Sequence, residues 1–197
     1  PSPTGHLHLG HAYSAKLAHD FAMKQGGKFL LRVEDIDQGR CKKEFEMALY
    51  EDLTWLGLNW EQPVRRQSDH MADFKAALNQ LDQRGLLYPC FCTRKEILRE
   101  IEESGHAPHD LTAPGPDGPL YPGTCRSLGA GERQEKMAQG IPYALRLDME
   151  KALTILEDKE LIWTDLLAGP QSVNADFLHQ VIGDVILARK DIQTSYH

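Results

Sequence analysis

Apolar residues recur at helical spacing through the first half of the chain. The pattern predicts three helices, the first of them over residues 11–25. Their apolar positions are Ala12, Ala15, Ala18, Phe21 and Ala22 in the first, Phe45, Leu49, Leu53 and Leu56 in the second, and Phe74, Ala77, Leu78 and Leu81 in the third. Gly26, Gly57 and Gly85 follow these runs, and glycine after an apolar run is a common helix end.

A short apolar run lies between the first two predicted helices. Residues 29–33 are mostly apolar and bounded by polar residues, which predicts a buried strand. Alternation of strands with helices predicts an α/β fold, with a parallel sheet covered by helices. Ligands of such sheets bind outside the carboxyl ends of the strands. Glu34, which directly follows the strand, is therefore a candidate binding residue.

The pattern changes near Leu87. The remaining sequence predicts a polar helix over 93–104, an irregular Pro/Gly-rich loop over 106–123, a helix over 131–139 and strands over 143–147 and 161–163. These elements indicate a smaller α+β module. A further strand over 185–187 is expected to lead back to the first fold.

Composition and charge argue against a membrane-spanning protein and against nonspecific binding of nucleic acid. The 197 residues are 41% hydrophobic and 26% charged, as in a globular protein of one domain or one domain with an insertion. No apolar run is long enough for a membrane span, and without a secretory leader we expect the cytoplasm. The net charge of −7 argues against nonspecific binding of nucleic acid. Local basic pairs that remain candidates for a nucleic-acid patch are Lys42-Lys43, Arg65-Arg66 and Arg94-Lys95.

The start of the chain carries the most specific chemistry, Pro1-Ser2-Pro3-Thr4-Gly5-His6-Leu7-His8-Leu9-Gly10-His11. Gly10 permits close approach of a ligand to the backbone, and the helix that follows would aim unpaired N–H groups at it. The imidazoles of His8 and His11 are suitable donors to a phosphate whose charge grows in a transition state. The turn therefore indicates attack at a phosphorus of a nucleoside triphosphate. A solvated histidine patch or a weak metal site is the alternative.

Two motifs resemble those of a known enzyme family. His8-Leu9-Gly10-His11, after Pro-Ser-Pro-Thr-Gly, resembles the HIGH signature of class I aminoacyl-tRNA synthetases in its glutamyl/glutaminyl form. The sequence from Leu31 to Asp37 resembles the R-I-E-D-I-D signature of glutamyl synthetases. The resemblance implies the following roles: His8 and His11 catalytic at the α-phosphate, Thr4 and Gly10 with them in seating ATP, and Ser2, Glu34 and Tyr196 in contact with glutamate.

The cysteines form a second candidate site. Cys90 and Cys92 are one residue apart, and the Pro-Gly turn before Cys125 permits a third thiolate to converge with them. Three thiolates suit Zn²⁺ in a four-coordinate structural site. The fourth ligand stays open on these grounds, the candidates being Tyr121, His106, His109 and a water. Two buried thiols without metal are the alternative for Cys-x-Cys, and Cys41 is expected to be an ordinary thiol.

The same cysteine pattern is similar to that of glutamyl-Q tRNA(Asp) synthetases. In that family the tyrosine of Tyr-x-x-x-Cys is a zinc ligand, which implies the set Cys90, Cys92, Tyr121 and Cys125. Ser127 stands where zinc-binding glutamyl-tRNA synthetases tend to have histidine. The long spacer between Cys92 and Tyr121 departs from the pattern.

The resemblance implies a Rossmann-like class I catalytic domain with an inserted zinc-binding α+β module, incomplete at both ends. We expect residues 1–86 to form the first half of the nucleotide-binding domain, 87–184 the inserted module, and 185–197 the start of the second half. The family's activity would be ATP- and Mg²⁺-dependent activation of L-glutamate and its transfer to queuosine in the anticodon of tRNA(Asp). One structural Zn²⁺ per chain and a monomer are expected.

Three other functions remain open from the sequence. The first is the catalytic part of a glutamyl-tRNA synthetase that charges tRNA(Glu). The second is a non-catalytic module that binds nucleotide or zinc. The third is another HIGH-type nucleotidyltransferase acting on a small molecule, against which the Glu34 motif and the cysteines argue.

Overall fold

The computed structural model describes residues 1–103, 119–157, 160–192 and 194–195. Their contacts divide into two compact units, Pro1–Phe74 and Lys75–Ser195. No helix in the described parts of the chain is long and apolar enough to cross a membrane.

The first unit combines helices with one short parallel strand pair. Its elements are α1 (Leu9–Lys24), β1 (Arg32–Val33), α2 (Lys43–Trp55), β2 (Arg65–Arg66) and a 3₁₀ turn (Ser68–His70), after which α3 (Met71–Gln83) begins. β1 and β2 pair in parallel, with Arg32 opposite Arg65 and Val33 opposite Arg66. The predicted parallel pairing is therefore present in this unit, over two residues of each strand. The predicted helix ends are also present, since Gly57 and Gly85 have φ of +73° and +70°, a region that favours glycine.

The core of the first unit is formed by leucines. Leu49 and Leu53, four residues apart on α2, pack with Leu31 and Leu58. Ala15 brings α1 against this core, yet α1 has no fully buried residue. This core holds the start of α1 and the end of β1 in place, and the histidines and Glu34 lie at these two points.

The second unit contains an antiparallel sheet. Its elements are β3 (Leu87–Cys90), α4 (Arg94–Glu103), α5 (Ala130–Ala138), β4 (Ala144–Leu147), α6 (Met149–Leu156), β5 (Leu161–Asp165), β6 (Gly169–Val173), α7 (Ala175–Phe177), a π-helical turn (Leu178–Ile182) and β7 (Ile186–Ala188). The order in the sheet is β3-β4-β7, and both pairs are antiparallel. β5 and β6 form a separate hairpin.

Several elements differ from the sequence prediction. β7 lies at the predicted strand over 185–187 and pairs with β4 through Leu145 and Ala188. The sequence pattern did not reveal β3, α6 or β6. α6 begins at an N-cap, since the Asp148 carboxylate accepts a hydrogen bond from the Lys151 N–H at 3.2 Å. Most of the predicted loop over 106–123 lies outside the described residues.

Candidate active site and metal site

His8 caps the N-terminus of α1 through its side chain. The Gly10 N–H donates to His8 Nδ1 at 3.1 Å, and the His8 N–H donates to His11 Nδ1 at 3.3 Å. The two imidazole rings lie against each other, with centroids 3.9 Å apart and a tilt of 36°. This reciprocal arrangement is a capping box built from two histidines.

These hydrogen bonds fix the donor atom of each ring. Because both Nδ1 atoms accept a hydrogen bond, the neutral rings carry their proton on Nε2. Partial burial, together with the neighbouring His8, lowers the pKa of His11, so its ring is neutral at pH 7. Both side chains are exposed. The N-terminus of α1 thus carries two Nε2–H donors available to an anionic oxygen.

The helix N–H groups themselves are mostly occupied. The Gly10 N–H is bonded to His8 Nδ1, and the N–H groups of His11 and Ala12 donate to the His8 carbonyl oxygen at 2.9 and 3.2 Å. The sequence suggested unpaired backbone donors here. In the structure the His8 side chain satisfies the Gly10 N–H and the His8 carbonyl oxygen satisfies the next two N–H groups.

Gly10 leaves room for the His8 ring. A Cβ atom at position 10 would lie 3.1 Å from His8 Cε1 and 3.2 Å from His8 Nδ1, closer than such contacts normally allow. The His8 ring therefore packs closely against the backbone at Gly10.

Gly10→Ala is expected to separate stability from activity. The added methyl displaces the His8 ring, so a reaction that uses the Nε2–H donor of His8 is expected to slow about tenfold, short of the ~100-fold loss for a 1 Å displacement. Unfolding free energy is expected to change by less than about 1 kcal/mol, because the better helix propensity of alanine offsets the weakened cap at His8. Steady-state pyrophosphate exchange and urea unfolding of the full-length protein measure both.

Gly131→Ala is the matched control. Gly131 lies in α5, has no positive φ, and has no neighbouring atom within 4 Å of the place that a Cβ would occupy. The substitution should therefore stabilise the helix and leave exchange unchanged. Equal rates for Gly10→Ala and the wild type would show that the position of the His8 ring does not matter.

Glu34 lies directly after β1. Its N–H donates to the Pro1 carbonyl oxygen at 3.0 Å, and its carboxylate bonds to Arg32 Nη2 at 2.7 Å. The side chain is 24% exposed. An incoming ammonium group would therefore share or replace the contact of Glu34 with Arg32.

One cleft of about 860 Å³ brings the two predicted motifs together. Its lining includes His11, Ser14, Arg32 and Glu34, together with apolar side chains such as Leu31. The cleft thus contains the imidazole of His11 and the carboxylate of Glu34, within the first unit.

The other predicted contacts of this site are placed as follows. Ser2 is half-buried, and its carbonyl oxygen accepts from the Thr4 N–H at 2.9 Å. Thr4 is exposed in the turn before α1. Tyr196 lies outside the described residues.

A buried ionic network behind Glu34 was not anticipated. Arg66 contacts two buried carboxylates, Asp35 through Nη2 and Glu46 through Nη1, both at 3.0 Å. Asp35 also accepts from the N–H and hydroxyl of Ser68 at 2.9 and 2.6 Å. Burial alone would raise the pKa of Asp35, but the bonds from Ser68 and Arg66 outweigh it and lower that pKa. Burial and Glu46, which accepts from its hydroxyl, raise the pKa of Tyr50 to about 12.

This network changes the interpretation of Arg65-Arg66 as a candidate nucleic-acid patch. Arg66 is committed to Asp35 and Glu46, and Arg65 pairs with Asp73 at 3.0 Å. Arg66 is therefore an internal clamp rather than part of a nucleic-acid patch. The buried acids of the acidic run were the sequence signal for it, since a buried carboxylate requires a cation.

The second unit brings the predicted sulfur ligands together. The Sγ atoms of Cys90, Cys92 and Cys125 all lie within 4.8 Å of one another, and those of Cys92 and Cys125 are 3.3 Å apart. Tyr121 Oη lies 3.6 Å from Cys92 Sγ and accepts from the Cys125 N–H at 2.8 Å. Three thiols and one phenol therefore converge, while His106 and His109 lie outside the described residues.

The electrostatics of the four groups differ. Burial raises the pKa of Cys92 to about 12, and burial likewise raises the pKa of Tyr121. Burial opposes ionisation of Cys125 too, but hydrogen bonds from the Tyr121 hydroxyl and the Phe91 N–H lower its pKa. Soft sulfur donors in a closed, buried set suit a structural Zn²⁺. The donor set fits that ion.

Comparison with known proteins agrees with this fold and these motifs. The chain matches, over residues 1–197, the family described as tRNA synthetases class I (E and Q), catalytic domain. The chain belongs to this family, with a mixed α/β fold. It is a glutamyl-tRNA synthetase-like catalytic domain.

Individual relatives bear the names that the motifs suggested. A glutamyl-Q tRNA(Asp) synthetase of Rhodobacter capsulatus is 46% identical over 100% of this chain and 68% of the relative. A glutamate–tRNA ligase of Aquifex aeolicus is 36% identical over 100% of this chain and 38% of the relative. The crystal structure of a glutamate tRNA ligase from Elizabethkingia meningosepticum, in complex with its amino acid, superposes with a TM-score of 0.72 at 28% identity, covering 100% of this chain and 39% of that one.

The resemblance to glutamyl-Q tRNA(Asp) synthetases is thereby confirmed. The chain spans from about two thirds to little more than a third of the length of these relatives.

Proposed function

We propose that the protein activates L-glutamate with ATP and Mg²⁺ and transfers the glutamyl group to queuosine in the anticodon of tRNA(Asp). The observation that carries the first step is the pair of adjacent imidazoles at the start of α1, of which His11 lines a cleft that also contains Glu34. The relative at 46% identity, named for the second step, supports the choice of tRNA.

The geometry suits formation of an acyl adenylate. An oxygen of the glutamate α-carboxylate would bond to the α-phosphorus while the bond to the bridging oxygen breaks and pyrophosphate leaves. The Nε2–H donors of His8 and His11 would hold the phosphate oxygens as their charge grows. Thr4 and Gly10 would seat the nucleotide. Neither histidine needs to accept a proton in this step, since both Nδ1 atoms are already acceptors.

Glu34 would recognise the amino group of glutamate. A half-buried carboxylate at the end of β1 is well placed to pair with an ammonium, and Ser2 and Tyr196 would complete the contacts. The clamp of Arg66 on Asp35 holds the backbone that follows Glu34. Binding would then orient the carboxylate of the substrate toward the histidines.

In this proposal the parts of the chain have distinct tasks. Residues 1–86 provide the first half of the nucleotide-binding domain, 87–184 an inserted module, and 185–197 the start of the second half. Cys90, Cys92, Tyr121 and Cys125 would hold one Zn²⁺, which when bound crosslinks the segments around β3 and the turn at 121–125.

The choice of tRNA is tested with the full-length protein and labelled glutamate. We expect label to appear on tRNA(Asp) that contains queuosine and not on tRNA(Asp) that lacks it. Removal of the 3′ terminal adenosine is the matched control, because it blocks 3′ charging, keeps the queuosine base intact and should leave transfer to the anticodon unaffected. Label on the 3′ end of tRNA(Glu) would contradict the proposal.

That contrary result would favour a glutamyl-tRNA synthetase. The 36% identity to the Aquifex aeolicus ligase and the superposition on a glutamate tRNA ligase support this second candidate. It shares the first step, so pyrophosphate exchange with glutamate does not separate the two, and only the tRNA experiment does. A non-catalytic module would show no exchange at all.

A further inference from the structure

Arg146 is a buried cation beside the sulfur cluster. It is 8% exposed, and its guanidinium lies 3.9 Å from the centroid of the Tyr121 ring. Its Nη1 donates to the carbonyl oxygen of Asp184 at 2.6 Å. This position places a full positive charge against the face of the proposed oxygen ligand.

The charge of Arg146 is incompletely matched by the surrounding residues. Within the described ranges no carboxylate forms an ion pair with it, and its buried Nε has no hydrogen-bond partner there. The carboxylate of Asp184 pairs instead with Arg126 at 3.4 Å. A buried cation left this way is costly unless another negative charge lies close to it.

A metal centre at the cluster would supply that negative charge. Zn²⁺ with three thiolates has a net charge of about −1, and about −2 if the phenol oxygen also binds as an anion. Buried anionic centres are stabilised by nearby cations, just as buried ion pairs are. Arg146 and the sulfur cluster therefore have complementary charges.

The sheet explains why this arginine reaches the cluster. On the antiparallel pair β3–β4, Arg146 lies opposite Tyr88 and Ala144 opposite Cys90. Directly opposed residues and residues two apart point to the same face of a sheet. Arg146 and Cys90 therefore share one face, on which Tyr121 also packs.

We propose that Arg146 is a positioning residue for the metal centre, holding the Tyr121 ring in place and supplying the countercharge to the bound thiolates. This inference rests on the proposed zinc site. Residues that contact metal ligands without binding the metal typically change metal affinity by about 10–100-fold when they are mutated.

The test measures metal binding rather than catalysis. Metal-free full-length protein is titrated with Co²⁺, whose thiolate charge-transfer and d–d bands report the ligands, and Zn²⁺ affinity is measured by competition with a chromophoric chelator. Arg146→Met is expected to weaken Zn²⁺ binding at least tenfold. Arg146→Lys keeps the charge without the planar group and is expected to lose severalfold less.

The matched control is Lys136→Met. Lys136 lies 5.9 Å from the centroid of the Phe91 ring, which is not one of the proposed ligands. This cation–π contact is longer than the 3.9 Å contact of Arg146, so its loss should leave the affinity unchanged. A double-mutant cycle with Tyr121→Phe tests whether Arg146 acts through the phenol oxygen. If it does, Arg146→Met should reduce Zn²⁺ affinity less in the Tyr121→Phe protein than in the wild type.

The outcomes test the proposed zinc site and the proposed role of Arg146 separately. Absence of Co²⁺ bands in the wild type would overturn the metal site and the role of Arg146 with it. Normal bands in the wild type with equal affinity in Arg146→Met would overturn the role of Arg146 alone. If Arg146→Met fails to fold, Arg146→Lys decides: wild-type affinity and spectrum contradict the inference, and a reduced affinity supports it.

Discussion

Replacing His8 by alanine in the full-length protein is expected to slow adenylate formation by about 10²–10³-fold, the usual cost of removing one donor to a developing oxyanion. His8 contributes an Nε2–H donor and also fixes the ring of His11, because the His8 N–H bonds to His11 Nδ1. Loss of the His8 side chain also removes the cap on the Gly10 N–H, so the first turn of α1 becomes less ordered.

A second variant separates the loss of the Nε2–H donor from the loss of the helix cap. Asn is among the best N-cap residues, so His8→Asn should restore the cap without restoring a donor at the position of Nε2. We expect His8→Asn to recover the helix stability and to remain about as slow as His8→Ala. The measurement is pyrophosphate exchange at saturating ATP and glutamate, with far-ultraviolet circular dichroism as the check on folding.

His6→Ala is the matched control for this pair. His6 belongs to the same turn, but its ring packs edge-on against Phe45 at 5.1 Å and takes no part in the cap. Its loss is expected to change exchange by less than about threefold, in keeping with a solvated surface position. A rate for His8→Ala close to that of His6→Ala would remove the phosphate role from His8.

Local sequence signals were enough for the first three helices and for the bends that carry the cysteines. Helix ends at Gly57 and Gly85 followed from residues adjacent in sequence, because the left-handed backbone there is a property of glycine itself. The Cys-x-Cys segment and the Pro-Gly turn before Cys125 each bend the chain locally, and these two bends have causes that act over a few residues. That the two bends meet was implied by the family resemblance, because Cys92 and Cys125 are 33 residues apart.

Long-range partners could not be obtained in the same way. Arg66 reaches Asp35 and Glu46, which are 31 and 20 residues away, and Arg146 reaches Asp184 across 38 residues. Neither arginine differs in local pattern from a surface residue, apart from one signal for Arg146. It occupies an inward position of the alternating strand β4, in which Ala144 and Arg146 are buried, and a charged residue at such a position implies a buried partner.

Asp184→Ala is expected to have the largest effect on stability in the second unit. The Asp184 carboxylate is 5% exposed and accepts from the Tyr88 hydroxyl at 2.5 Å and from the Met149 N–H at 3.0 Å. It also pairs with Arg126 at 3.4 Å. The substitution leaves two buried donors and the partly buried charge of Arg126 without their acceptor.

We expect Asp184→Ala to lower the free energy of unfolding by about 3–5 kcal/mol, the usual range for breaking a buried charged pair. Asp184→Asn keeps an acceptor oxygen for Tyr88 and Met149 and loses the charge that faces Arg126, so a loss of about 1–3 kcal/mol is expected. The free energy of unfolding should therefore increase from Asp184→Ala to Asp184→Asn to the wild type, because each of these residues satisfies more donors than the one before.

Urea unfolding gives the free energies, and hydrogen exchange locates the damage. Peptides that cover β4 and the start of α6 should lose protection first, because Asp184 ties the Met149 N–H and Tyr88, which lies opposite Arg146, to one carboxylate. Asp176→Ala, an exposed acid nearby in sequence, is expected to stay within about 0.5 kcal/mol of wild type. If Asp184→Ala also stays within that range, the carboxylate does not organise this unit, and Tyr88 and Arg126 must find other acceptors when it is removed.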